Sequence, residues 1–121
     1  MNMVEVKTAD LIGYALDWAV AKAEGKTVKI IPGPIDGKPY PLDENYDLFS
    51  PSTDWSQVGP LIENHRISFE DEDDCFSALL ALERPVVSVG SAFGSTHLIA
   101  ACRAIVAAKL GDTVQVPEEL I

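Results

Sequence analysis

Few side chains in this 121-residue sequence are of a type and spacing that performs a reaction. A serine nucleophile needs a base within hydrogen-bond reach, and no Gly-x-Ser-x-Gly elbow or comparable frame supplies one. Gly90-Ser91-Ala92-Phe93-Gly94-Ser95 stands just before a helix signal, an arrangement that can offer backbone N–H groups to an anion. It lacks the Gly-Lys-Ser/Thr ending of a Walker loop and the third glycine of a dinucleotide fingerprint, so a strand-to-helix connection with an N-cap is the simpler reading. Cys75 and Cys102 are far apart and read as buried free thiols, and His65 and His97 are equally isolated. Without a local ligand pair, these four are not read as a zinc site. The run Glu70-Asp71-Glu72-Asp73-Asp74 lacks the central glycine and closing glutamate of a calcium loop and reads as a solvated hairpin loop. No catalytic set, metal or cofactor is expected.

What remains is one unusual loop. Ser50-Pro51-Ser52-Thr53-Asp54-Trp55-Ser56 places one of the two tryptophans among hydroxyl residues, a proline and a carboxylate. Proline and the serines suit a turn, and Asp54 or Ser52 suits a helix N-cap. Trp55 has three readings: an anchor pinning the loop to the core, a stacking platform for a planar ligand, or an interface hot spot. Arg103 falls at the border of a helical core face. Its head either turns to water or pairs with a carboxylate such as Asp54 or a ligand.

The elements that must position these residues follow from periodicity. Val4-Glu5-Val6-Lys7 alternates as a short strand. Thr8 suits an N-cap for a helix over Ala9–Glu24, closed by Gly25. Apolar residues occupy most of its circumference, and only Asp10, Gly13, Asp17 and Glu24 form a polar stripe, so it must be buried on most sides. Thr27–Ile31 reads as a strand stopped by Pro32-Gly33-Pro34. The following segment, to Thr53, is irregular, rich in proline and carries Tyr40, Tyr46 and Phe49. A helix is expected over Trp55–His65, with Pro60 awkward in its interior. Ile67-Ser68-Phe69 reads as a strand. Cys75–Leu82 fits helix or strand and is taken as a strand paired with Val86–Val89 through Glu83-Arg84-Pro85. Gly94-Ser95-Thr96 caps a second clear helix running to Leu110 and stopped by Gly111. Its core face is Leu98, Ile99, Cys102, Ile105, Val106 and Leu110. The opposite, alanine-rich side, which carries His97, lets another backbone approach, within the chain or in a second copy. Asp112–Val116 is a last strand and Pro117 opens a terminal turn. The sum is an α+β fold: two buried helices packed on a small, mainly antiparallel sheet, with a long irregular central segment.

Composition narrows the function classes. Hydrophobic residues make up 47% of the chain, enough for one core spanning residues 1–121 as a single domain. No apolar run reaches the roughly 18 residues needed to span a bilayer. Glu5 and Asp10, with no basic leader, argue against a secretory signal. These features point to a cytoplasmic protein that does not engage a membrane. Nineteen acidic against nine basic residues give a net charge of −10, which disfavours direct binding of nucleic acid.

Three stretches carry a family resemblance: Ala15-Leu16-Asp17-Trp18-Ala19-Val20-Ala21; Ser50-Pro51-Ser52-Thr53-Asp54-Trp55-Ser56-Gln57-Val58-Gly59-Pro60-Leu61-Ile62-Glu63; and Leu98-Ile99-Ala100-Ala101-Cys102-Arg103 with Lys109-Leu110-Gly111-Asp112 and Val116-Pro117-Glu118-Glu119-Leu120. In order and spacing they resemble the phage NinX family, small proteins of tailed phages and prophages. The resemblance spans nearly the whole chain; residues 26–45 and 70–94 match poorly, and Cys102 stands where a methionine is expected. It implies a phage or prophage origin and work in a bacterial cytoplasm, and it brings no established activity. It also groups Ser52, Thr53, Asp54, Trp55, Asp17, Trp18 and Arg103 as candidates for one site. The leading expectation is a non-enzymatic binding module whose partner is a small molecule or a host or phage protein, with a homo-oligomer also open. The alternatives are a small enzyme on a nucleotide-like substrate, with Asp54 as base and Arg103 holding an anionic group, or an acidic decoy of a host nucleic-acid-binding protein.

Overall fold

The computed structural model describes residues 2–33, 38–81 and 88–121. Among these residues three α-helices, α1 (Gly13–Ala23), α2 (Trp55–His65) and α3 (His97–Leu110), stand among seven strands. The strands are β1 (Met3–Lys7), β2 (Lys29–Pro32), β3 (Pro39–Leu42), β4 (Ser68–Asp71), β5 (Phe76–Ala81), β6 (Ser88–Gly94) and β7 (Thr113–Pro117). The fold is α+β. The single sheet expected is instead three small ones, β1–β7, β2–β3 and β4–β5–β6. Every described pairing is antiparallel. Short strands interrupted by prolines and an acidic turn disfavour one continuous sheet; β5 and β6 pack on α3, and β3 and β7 contact α1. Among the described residues, no helix is long and apolar enough to cross a membrane.

The first helix starts later than its periodicity suggests. Thr8 does not cap it: the Thr8 hydroxyl donates to the Gly111 carbonyl at 2.6 Å, and residues 8–10 form a separate 3₁₀ turn. Leu11 and Ile12 are extended, and Leu11 is 1% exposed, so the chain re-enters helix only at Gly13. From Ala15 to Ala21 every residue of α1 is buried, Asp17 included. Of the expected polar stripe, Asp10 and Gly13 are exposed and Glu24 is half-buried, but Asp17 is interior. Gly25, left-handed at φ +71°, ends the helix as expected.

Around α1 lies α3, the second buried helix. Thr96 is its N-cap, its Oγ1 accepting from the Ile99 amide at 3.1 Å. Leu98, Cys102, Ile105 and Val106 are buried as predicted, but Leu110 is 37% exposed, so the core face ends one turn early. Ala100, Ala101 and Ala104 are fully buried too. The alanine side is thus covered within the chain: α3 packs between α1 on one side and the β5–β6 strands on the other, with α2 alongside. Small side chains allow that close approach. Each fully buried Leu, Ile or Val here, such as Leu16, Val20 and Ile105, contributes on the order of 2 kcal/mol of burial.

The proline-rich central segment is ordered by its own contacts. β3 pairs with β2 in the register Ile30↔Pro41 and Ile31↔Tyr40, an edge arrangement that tolerates residues without an N–H. The Asp43 carboxylate accepts from the Asn45 and Asp47 amides at 2.8 and 3.0 Å, closing the turn that leads to Phe49. Cys75 closes the turn before β5, its carbonyl accepting from the Glu72 amide at 2.8 Å, and the strand assignment holds over Phe76–Ala81; Glu83-Arg84-Pro85 lies outside the described residues. The acidic run Glu70–Asp74 is exposed at the β4–β5 connection. Helix α2 has the expected bounds and carries Pro60 inside. Its last residue, His65, meets Glu24 at the end of α1 through Nε2···Oε2 at 2.8 Å.

Candidate functional site

The Ser50–Trp55 loop is held from three directions. The Ser50 amide donates to Gln57 Oε1 at 2.8 Å, and Gln57 Nε2 reaches back to the Leu48 carbonyl at 2.9 Å, so the first turn of α2 grips the chain entering it. The Thr53 amide closes a turn on the Ser50 carbonyl at 3.0 Å. The Ser52 amide donates to Asp17 Oδ1 at 2.8 Å, joining the loop to the interior face of α1. Phe49, Ser50, Pro51 and Ser52 are all buried.

Asp17 is 1% exposed, and this burial raises its carboxyl from 3.8 to about 6, with the Ser52 amide opposing the rise. The Ser52 hydroxyl stands close to the same carboxylate but meets no partner at hydrogen-bonding geometry, so the amide carries the contact. Asp17 in turn lies near Cys102, whose thiol is pushed well up by burial first and by that charge second. A thiol so disfavoured as thiolate is no nucleophile.

Asp54 caps α2. Its Oδ1 accepts from the Ser56 amide at 2.9 Å and the Ser56 hydroxyl at 2.7 Å, and Oδ2 accepts from Gln57 at 3.1 Å. The Ser56 hydroxyl, then its amide, hold the carboxyl below its usual range. A carboxylate so stabilised is a poor general base.

Trp55 does not pin the loop. It is 58% exposed, while the loop is fixed by Asp17, Gln57 and the buried Phe49 and Pro51. The indole lines an open cleft of about 500 Å³ between the loop and the start of α3, with Ser52, Thr53, Phe76, Ser95 and His97 among the lining residues. His97 is stacked on Phe76 at 3.9 Å between ring centroids, meets Phe69 edge-on at 5.0 Å, and tilts toward Trp55 at 6.3 Å. Among the described residues, no Asp, Glu, Lys or Arg lines the cleft.

The predicted group divides. Ser52, Thr53 and Trp55 come together in the cleft, Asp17 supports it from beneath, and Asp54 fixes the helix that carries Trp55. Trp18 is 8% exposed and belongs to the core, with Lys22 Nζ 5.3 Å over its ring. Arg103 does not reach Asp54. Its Nε donates to the Leu11 carbonyl at 2.9 Å and its Nη1 to the Phe93 carbonyl at 2.8 Å, and it lines a different cleft. The backbone of the extended Leu11 offers an acceptor that side-chain patterning cannot reveal. Sequence reasoning missed Phe76 and Ser95 as cleft residues and left His97 without a contact. Only the cap signal at Gly94-Ser95-Thr96 pointed to that end of α3.

Comparison with known proteins now bears on this arrangement. A family model described as "Bacteriophage P22, NinX" matches residues 7–109, a span that includes Asp17, the Ser50–Trp55 loop and Arg103. No curated protein matches the chain. With most of the sequence under that one model, the chain belongs to the NinX family of phage proteins.

Proposed function

We propose that this phage-family protein is a binding protein without chemistry of its own, which seats a small molecule or a group of a host or phage protein against Trp55, in the bacterial cytoplasm. The observation that carries the reading is the 58% exposure of an indole on a loop that is fixed without it. An exposed tryptophan on a rigid frame presents a large apolar face at little entropic cost on binding. The cleft beside it has hydroxyl groups at Thr53, Ser95 and Thr96 and, among the described residues, no charged lining, which favours an uncharged, planar group. The enzymatic alternative loses support, because Asp54 is committed to capping α2 and Arg103 lines another cleft.

The test is Trp55→Ala in pull-down from infected cells and in ligand screening. The substituted protein is expected to melt as the parent does and to lose its partner. A folded variant that keeps every partner overturns the proposal.

A further inference from the structure

The Trp55 cleft leaves Arg103 unexplained. In a chain with 19 acidic residues against nine basic ones, a partly buried guanidinium ordinarily finds a carboxylate. Among the described residues no carboxylate stands within ion-pair distance of Arg103. Its Nε and Nη1 donate to main-chain carbonyls, which fix the plane of the guanidinium. A guanidinium has five N–H groups, so donors remain on a side chain that lines a cleft of about 400 Å³.

The rest of that lining has a definite character. Lys7 contributes a second cation, and no described carboxylate lies within ion-pair distance of it. Asp112 supplies one opposing charge. Ala92, Phe93 and Ala107 form an apolar wall, with Phe93 60% exposed. Burial holds Arg103 below the usual guanidinium range and the nearby Asp10 offsets this, so the group stays charged. The charges lining the cleft are two cations and one acid, and Asp10 lies near Arg103 outside that lining. This balance suits at most a single negative charge and disfavours a dianion. A planar two-oxygen group fits the guanidinium edge better than a tetrahedral one.

We infer that the cleft between the β1–3₁₀ segment, β6 and α3 is a second binding site, taking a small monocarboxylate with an apolar body. The carboxylate lies on Arg103 and Lys7, and the apolar body on Phe93, Ala92 and Ala107. This site is independent of the Trp55 cleft, and its occupant need not be the same molecule.

The test titrates the full chain with hydrocinnamate, with its neutral amide, and with inorganic phosphate, followed by ¹H–¹⁵N spectra. Hydrocinnamate is expected to give saturable shifts at Ala92, Phe93 and Thr113, and the amide and phosphate are not. Losing one charge-assisted contact in Arg103→Lys weakens binding by about tenfold, and Lys7→Gln weakens it several-fold. Asp112→Asn tightens it. Should Arg103→Lys fail to fold, the opposite signs of Lys7→Gln and Asp112→Asn decide. No saturable shift, an equal response to the amide, phosphate binding as tight as hydrocinnamate, or indifference to both rim substitutions overturns the inference. In those cases Arg103 is only a staple between α3, Leu11 and β6.

Discussion

The Ser52 amide donates to the Asp17 carboxylate at 2.8 Å, across 35 residues of sequence and inside the core. This contact holds the loop that presents Trp55, and it does so with a group that is costly to bury. The native state raises the Asp17 carboxyl from 3.8 to about 6, so it binds that proton more tightly than the unfolded chain does. Stability from this group therefore rises as pH falls from about 6 toward 4, and the full penalty is present above pH 6. At ~1.4 kcal/mol per pH unit it is on the order of 3 kcal/mol. Asp17→Asn keeps the acceptor for Ser52 and removes the charge. Urea unfolding is expected to show the variant more stable than the parent at pH 7.5, with the gap closing toward pH 4. Asp17→Ala leaves the Ser52 amide unpaired and should fall below Asp17→Asn by about 1–3 kcal/mol.

Trp55 and Trp18 should be separable by fluorescence. Trp55 is 58% exposed and Trp18 8%, so acrylamide should reach the first and spare the second. Trp55→Phe is expected to remove the quenchable, red-shifted component and to leave stability within about 0.5 kcal/mol, as for a surface substitution. A large loss of stability would return Trp55 to the role of loop anchor.

How much of this was legible from sequence depends on where each residue's partner lies. Helix α2 was readable from end to end because its signals are local: Asp54 caps it two residues from the Ser56 amide, and its core residues Val58 and Leu61 share one face. The start of α1 was not readable, because the Thr8 hydroxyl is spent on Gly111 and the Leu11 carbonyl on Arg103, both about a hundred residues away. Helical periodicity placed Asp17 on a polar stripe, yet the loop that covers it is distant in sequence. The same limit applies to the site. The Ser50–Trp55 block stood out by composition, whereas Phe76 and His97 reach the cleft only through the packing of β5 on α3.

The first turn of α3 forms one wall of that cleft, so its cap is a second point of control. Thr96 Oγ1 accepts from the Ile99 amide at 3.1 Å. Thr96→Ala should cost about 1 kcal/mol, read as a shift in the urea midpoint without a change in slope. Thr96→Ser keeps the acceptor and should restore most of the loss. If both variants match the parent, the cap contributes nothing to α3.

The same wall rests on Gly94, the last residue of β6, which pairs with Phe76. A Cβ at this position would meet the Ala100 amide nitrogen at 2.5 Å and Ile99 Cγ2 at 2.9 Å. The first of these is main chain inside a helix and cannot swing aside, so the strand end and the helix must part. Overpacking of this kind costs about 1–3 kcal/mol or more. Gly94→Ala is therefore expected to destabilise the protein more than Thr96→Ala, and to shift the amide resonances of Phe76, His97 and Ile99 together. If Gly94→Ala leaves the His97 resonances unmoved, the close approach of β6 to α3 is not what sets the Trp55 cleft.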